Sequence, residues 1–199
     1  MTSSTGNQLP VFVITGQSGA GKGTLIKRLL DLFPQLELAV SATTRPRRPG
    51  EIEGAHYYFI SDEEFDRRLA EGKFLEYHVF PWGQRSGTLF SEIDRISDKG
   101  KVCVLELETE GALNVADRIP GAITIFVTAP IEELERRLRE RATESSGEIS
   151  ERLRVAREQF GVADRFDYVV ENDDLERAVA KLSELVTRYA VPAGTMPRP

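Results

Sequence analysis

Gly16-Gln17-Ser18-Gly19-Ala20-Gly21-Lys22-Gly23-Thr24 follows the apolar run Val11-Phe12-Val13-Ile14 and leads into the helix-like Leu25-Ile26-Lys27-Arg28-Leu29-Leu30. Closely spaced glycines let successive backbone N–H groups turn inward onto phosphate oxygens, and a helix behind them adds the positive end of its dipole. Lys22 supplies a mobile cation for the terminal phosphates. The chain is therefore expected to bind a nucleoside triphosphate. Gly23 displaces the hydroxyl that usually follows the lysine by one position, to Thr24. Thr24 is thus a weaker magnesium ligand and is expected to bond a phosphate, leaving the metal to water and to a carboxylate at a strand end. Glu106 and Glu108, at the end of the apolar run 102–107, are the candidates, against the plainer reading of two solvated carboxylates.

A second concentration of chemistry lies at Ser41-Ala42-Thr43-Thr44-Arg45-Pro46-Arg47-Arg48-Pro49-Gly50-Glu51, three guanidinium groups in an acidic chain. The planar fork of arginine suits a phosphate dianion, although a charge run of this kind also occurs as a solvated loop. Tyr57 adds a phenol that can donate to the same phosphate, and Glu76 ends an aromatic strand pattern.

The elements that must position these groups follow from composition and periodicity. A chain of 199 residues with net charge −6 is long enough for one substantial core and lacks the basic face of a general nucleic-acid or membrane-surface protein. No apolar stretch is long enough to span a bilayer, and a cytoplasmic protein is expected. The single cysteine, Cys103, sits in an apolar run and reads as a buried, inert thiol, and with only two histidines a structural zinc site is not expected. Apolar runs at 11–15, 102–107, 122–127 and 168–170 alternate with helical patterns, which indicates an α/β fold with a parallel sheet covered on both faces. Helices are expected at 131–138, with Glu132–Arg136 and Glu133–Arg137 pairs, at 149–160 and at 173–189. The stretch 36–87 breaks this rhythm and reads as an insertion, the loop 142–148 is small and polar, and the ends 1–8 and 191–199 read as flexible tails.

Taken together, these motifs resemble the guanylate kinase family, over nearly the whole chain. The phosphate loop is similar, including its glycine after the lysine, and Ser41 to Glu51 matches Ser-x-Thr-Thr-Arg-x-x-Arg-x-Gly-Glu. The resemblance implies a P-loop three-layer core (9–35, 91–136 and 153–190), a small mixed α/β insertion for GMP (36–90) and a helical lid (137–152). It implies ATP and Mg²⁺ as donor and cofactor and GMP as acceptor, with no nucleic acid or membrane partner and either a monomer or a homo-oligomer. Gly16, Gln17, Ser18, Gly19, Ala20, Gly21, Lys22, Gly23, Thr24 and Asn172 would face ATP. Ser41, Arg45, Arg48, Tyr57, Glu76, Thr88 and Glu108 would face GMP, Arg45 and Arg48 at its phosphate. Lys22, Arg45, Arg137, Arg141 and Arg152 would be catalytic, and Glu106 would hold magnesium through water. Glu76 is chemically suited to its part, because a carboxylate accepts from the adjacent N1–H and N2–H₂ of guanine but opposes the N1 lone pair of adenine.

Departures from the family pattern are Ser86-Gly87-Thr88 where a tyrosine normally precedes the glycine, Glu106-Leu107-Glu108 for two aspartates, Glu110 for glutamine and Ala142 for glycine. Two other readings share parts of the pattern: a non-catalytic module that binds phosphorylated partners, and a phosphotransferase for another small phosphate ester.

Overall fold

Six consecutive buried residues, Val11–Gly16, form strand β1, and their alternation decides the layering of the molecule. Phe12 and Ile14 point into one apolar cluster and Val11 and Val13 into another, on opposite faces. The computed structural model describes residues 9–80, 82–140 and 146–190; the side chains of 138, 140 and 146–152 lie outside that description. After β1 come α1 (Lys22–Leu32), β2 (Leu36–Leu38), β3 (Ala42–Thr43), β4 (Tyr58–Phe59), α2 (Asp62–Ala70), β5 (Phe74–Val79), β6 (Arg85–Leu89) and α3 (Phe90–Ser97). Then follow β7 (Val102–Glu106), α4 (Thr109–Arg118), β8 (Ile123–Thr128), α5 (Ile131–Glu140), α6 (Ser146–Phe160), β9 (Tyr168–Glu171) and α7 (Leu175–Ala190).

Five strands make a parallel sheet in the order β2-β7-β1-β8-β9. Leu25, Ile26 and Leu29 of α1 and Ala178, Leu182 and Val186 of α7 close one face; Ile96 of α3 and Ala112 and Val115 of α4 close the other. This is the expected α/β core. The helix expected at 149–160 begins earlier, at Ser146, and the one expected from 173 begins at Leu175. Asp174 accounts for the later start, because its Oδ1 accepts from the Arg177 N–H and terminates the backbone approach as a cap.

A second sheet, β4-β3-β6-β5, stands apart with a small core of Ala42, Phe65, Phe74 and Leu89, in which Phe65 stacks on Phe74 at 4.3 Å between centroids. Its strands β3, β6 and β5 are antiparallel neighbours. Leu36–Leu38, counted in sequence with the insertion, pairs with β7 as an edge of the parallel sheet, so the second sheet starts only at β3. The joint between the sheets is polar and buried. Glu92 accepts from the Val40 N–H (2.8 Å) and the Tyr58 hydroxyl (2.9 Å), and Arg95 ties Glu92 to Glu37 of β2.

Glu133 takes both Arg136 and Arg137, so the expected Glu132–Arg136 pairing is replaced by an i,i+3 contact one residue on. Cys103 is buried, as expected, and burial pushes its thiol up to about 12. Both tails, and Ala142 to Ser145 of the polar loop, lie outside the described residues. Among the described residues no helix is long and apolar enough to cross a membrane.

Candidate active site

The glycine loop leaves β1 beside β8 and closes into α1. Gly16 has φ of 143°, and a Cβ there would sit 1.9 Å from the Val127 carbonyl oxygen, so no other residue permits this approach of β1 to β8. Gly21 caps α1 in the left-handed region, and the helix start carries neither a side-chain cap nor an acidic residue in its first turn. Its free N–H groups and dipole therefore face a cavity of about 620 Å³ lined by Ser18, Gly19, Gly21, Lys22, Gly23 and Thr24, with Val155 and Gln159 of α6 opposite. Lys22 Nζ donates to the carbonyls of Gly16 (2.8 Å) and Gln17 (3.2 Å), folded back on its own loop. The Ser18 N–H donates to Gln159 Oε1 at 3.2 Å.

Three expected ATP-side groups act from behind the loop instead. The buried Gln17 side chain donates to the Ala156 carbonyl and accepts from Thr128 Oγ1 and the Ala129 N–H, so it fastens the loop to the end of β8 and to α6. Asn172 Nδ2 donates to the Ala20 carbonyl at 2.7 Å. Arg137, expected over the phosphates, donates to Glu133, to the Asn172 carbonyl (2.8 Å) and to the Ala20 carbonyl (3.3 Å). Its place in the last turn of α5 makes it a brace of the loop in this conformation. Arg141 lies outside the described residues; Arg152 lies in α6, and its side chain is likewise outside the description.

A second cavity, of about 260 Å³, opens between the two sheets and is lined by Ser41, Tyr57, Glu76, His78, Ser86 and Glu108, with Lys22, Glu106 and His56 among the other walls. Strand register assembles its closed end. Glu76 on β5 stands opposite Thr88 on β6, whose N–H donates to Glu76 Oε1 at 2.9 Å while its hydroxyl meets Ser41 Oγ at 3.1 Å. Thr88 is buried and is not among the lining residues; it holds the two groups that are. Gly111 of α4 is the residue that sequence reasoning missed here. A Cβ at that position would lie 2.7 Å from Glu76 Oε2, so glycine makes the room for the carboxylate, and a glycine inside a helical pattern was the available signal.

Arg45 forms a bidentate pair with Glu51 (2.7 and 2.5 Å), and its guanidinium lies 4.8 Å from the centre of the Tyr57 ring. Glu51 is thereby held at about 2 by its bonds to Arg45 and to the Arg48 N–H. Arg48 is exposed on the same loop and, like Arg45, is not among the lining residues of the cavity. Arg47 is also exposed.

Lys22, Glu106 and Glu108 are walls of both cavities. Glu106 ends β7 and Glu108 caps α4, so the carboxyl edge of the parallel sheet delivers both carboxylates between the two spaces. Although Glu106 opens on the cleft, the walls around it desolvate it and push its pKa up; Lys22 draws it down and Glu108 pushes it up further. Glu76 is raised chiefly by desolvation, with Thr88 opposing. Among the described residues no cluster of three or more metal-ligating side chains exists.

The guanylate kinase family model matches residues 8–189. The guanylate kinase of Synechococcus elongatus is 45% identical over 177 residues, covering 88% of this chain and 96% of that protein. That of Rubrobacter xylanophilus is 45% identical over 183 residues, covering 89% and 93%. The crystal structure of guanylate kinase from Anaplasma phagocytophilum superposes with a TM-score of 0.71 at 27% identity, covering 92% of this chain and 87% of that one. A match of this extent, on a phosphate loop and a carboxylate-floored second cavity that share one lysine, establishes that the chain belongs to the guanylate kinase family.

Proposed function

We propose that the chain transfers the terminal phosphoryl group of ATP to GMP, and to dGMP, within cytoplasmic purine nucleotide metabolism. The observation that carries this reading is the shared wall: one lysine and two carboxylates border both the glycine-loop cavity and the cavity floored by Glu76. Two nucleotides bound in these spaces meet end to end at Lys22. Their phosphate oxygens are already anionic, so the chain's task is to position them and to neutralise charge, with no general base required.

The α1 N-terminus and the loop N–H groups hold the donor phosphates, and Lys22 turns from its own carbonyls onto them. Glu76, backed by Thr88 and Ser41, reads guanine. Arg45 and Arg48, with Tyr57, hold the acceptor phosphate, which requires Arg45 to exchange Glu51 for substrate. The donor set fits Mg²⁺, because one or two carboxylates and a hydroxyl, without a cluster among the described residues able to hold an ion alone, suit a cation retained mainly by phosphates. Glu106 would hold it through water, with Thr24 a weaker candidate, and the bound ion would neutralise phosphate charge. We assign the core to 9–35, 91–136 and 153–190 together with β2, the acceptor unit to the second sheet within 36–90, and a lid to 137–152 whose Arg141 and Arg152 exclude water on closure.

Release of ADP from Mg-ATP in the presence of GMP, dGMP, IMP, AMP, UMP or ribose 5-phosphate tests the reading. Turnover confined to the guanine nucleotides is expected. ATP binding without GMP turnover would overturn it in favour of a binding module, and turnover of ribose 5-phosphate in favour of a different ester. The buried Ser41–Thr88–Glu76 arrangement, which a sugar phosphate does not need, favours GMP.

A further inference from the structure

One position of the acceptor cavity departs from the family pattern. Ser86 stands where the family carries a phosphate-side tyrosine, and its hydroxyl is turned into the sheet, donating to the Ala42 carbonyl at 3.1 Å. Directly opposite Ser86, in register across β5 and β6, is His78. Opposed residues of antiparallel strands share a face, and both line the cavity. Alternation along β5 sets Glu76, His78 and Phe80 on this face, while Tyr77 and Val79 are exposed on the other.

The three strands thus present two successive rungs. The first is Ser41–Thr88–Glu76, joined by the bonds described above. The second is Thr43–Ser86–His78, two residues or about 7 Å further along the strands and in the direction of Arg45. His78 therefore stands on the phosphate side of Glu76. Its ring is set edge-on to Phe80, with centroids 4.7 Å apart, and neither ring nitrogen makes a hydrogen bond among the described residues. The chain has only two histidines, and both line this one cavity. His56 is already engaged, its Nδ1 accepting from the Ile52 N–H at 2.9 Å.

We propose that His78 is a substrate-binding residue that takes over the missing tyrosine's contact, donating an imidazole N–H from β5 to the phosphate of the acceptor nucleotide. This rests on the reading of the chain as a GMP-phosphorylating enzyme. An imidazolium makes a charge-assisted bond to a phosphate dianion and a neutral imidazole only an ordinary one, so the contact strengthens acceptor binding most where the ring carries a proton. The groups facing His78 are Glu76 on its own strand, His56 and Tyr57 from the loop before β4, Lys22 from α1, and Glu106 and Glu108 from the end of β7.

The test is steady-state kinetics with saturating Mg-ATP and varied GMP between pH 6.5 and 8.5, for the wild type, His78→Ala, His78→Gln and the double variant His78→Ala/Ser86→Tyr. Guanosine, which lacks the phosphate, serves as a competitive inhibitor. Titration of GMP itself is common to all four proteins, so the variant-to-wild-type ratio isolates His78. Expected are a KM for GMP about tenfold higher in His78→Ala at pH 6.5, a ratio that shrinks toward pH 8.5, and near-wild-type kcat. Inhibition by guanosine should be unchanged, and Ser86→Tyr should restore most of the affinity without the pH dependence. His78→Gln, a neutral donor, should lie between at low pH. An unchanged KM ratio at every pH, or an equal loss of guanosine and GMP binding, overturns the proposal. Absence of GMP turnover in the wild type would instead overturn the assigned activity.

Discussion

Glu76 carries opposed demands at the scale of one residue. Its proposed part in reading guanine requires an ionised carboxylate, yet the site desolvates it and raises its pKa. A raised acid means that the folded chain holds the proton more tightly than the unfolded chain. Its stability is therefore greatest below the ordinary carboxylate range and declines as pH rises through and above that range. Glu76→Gln is expected to raise the melting temperature of the substrate-free protein at pH 7 and to remove the pH slope. The same substitution should cut GMP over AMP preference by at least about 100-fold with little change in ATP affinity, since one of the two buried guanine donors then meets an amide N–H in place of an acceptor. An unchanged GMP/AMP ratio would place base recognition elsewhere. Lys22→Ala removes the one cation among the described residues that borders both cavities. A loss of about 100-fold or more in kcat is expected, and a near-normal rate would exclude a role in charge stabilisation.

At the scale of elements, the site depends on how closely α4 and the glycine loop approach their neighbours. α4 packs against β5, where Arg118 donates to the carbonyls of Phe74 and Leu75 and Gly111 leaves space for the Glu76 carboxylate. Gly111→Ala forces only the end of a flexible side chain to move. The fold should persist while KM for GMP rises about tenfold and KM for ATP stays constant, a split that steady-state kinetics reads directly. Gln17 joins three elements at once, and Gln17→Ala leaves the buried Ala129 N–H without its acceptor. An unsatisfied group of this kind costs about 1–3 kcal/mol, or a melting-temperature drop of several degrees in a chain of this size. Calorimetry that finds no drop would show that the network is dispensable.

Across the whole molecule, the acceptor sheet is joined to the core by buried charge as well as by the chain. Burial pushes Glu37 up, but bonds from Lys99, Arg95 and Lys101 outweigh it and hold it at about 2. A lowered carboxylate stabilises the fold above its ordinary value near 4.5, and the contribution is lost as pH falls toward 2. Glu37→Gln is accordingly expected to cost about 2 kcal/mol at pH 7 and only about a quarter of that near pH 2.5. Urea unfolding at both pH values measures this, and an equal loss at each would mean that the effect is packing rather than charge. Because Arg95 also holds Glu92, which anchors Val40 and Tyr58, the acid transition should release the acceptor sheet together with the edge of the core.

The phosphate loop and the parallel core were legible in the sequence because each rests on local order. Glycine spacing sets a backbone path, apolar runs set buried strands, and a family signature occupies consecutive positions. Legibility ended where a side chain's partner lies far along the chain. Nothing near Gln17 or Asn172 indicates that they brace the loop from behind, for their partners at 128–129, 156 and 20 meet them only after the sheet has formed. Arg137 has the residue type of a phosphate ligand, and only its docking on the Ala20 and Asn172 carbonyls gives it the part of a brace. The pairing of His78 with Ser86 is likewise a matter of strand register, which the hairpin fixes and the linear order does not reveal. Sequence determined which chemical groups the chain possesses; the tertiary structure decided which of them face substrate and which are consumed in holding the others in place, because burial and hydrogen bonding allot each polar group its partner only when the whole fold has closed.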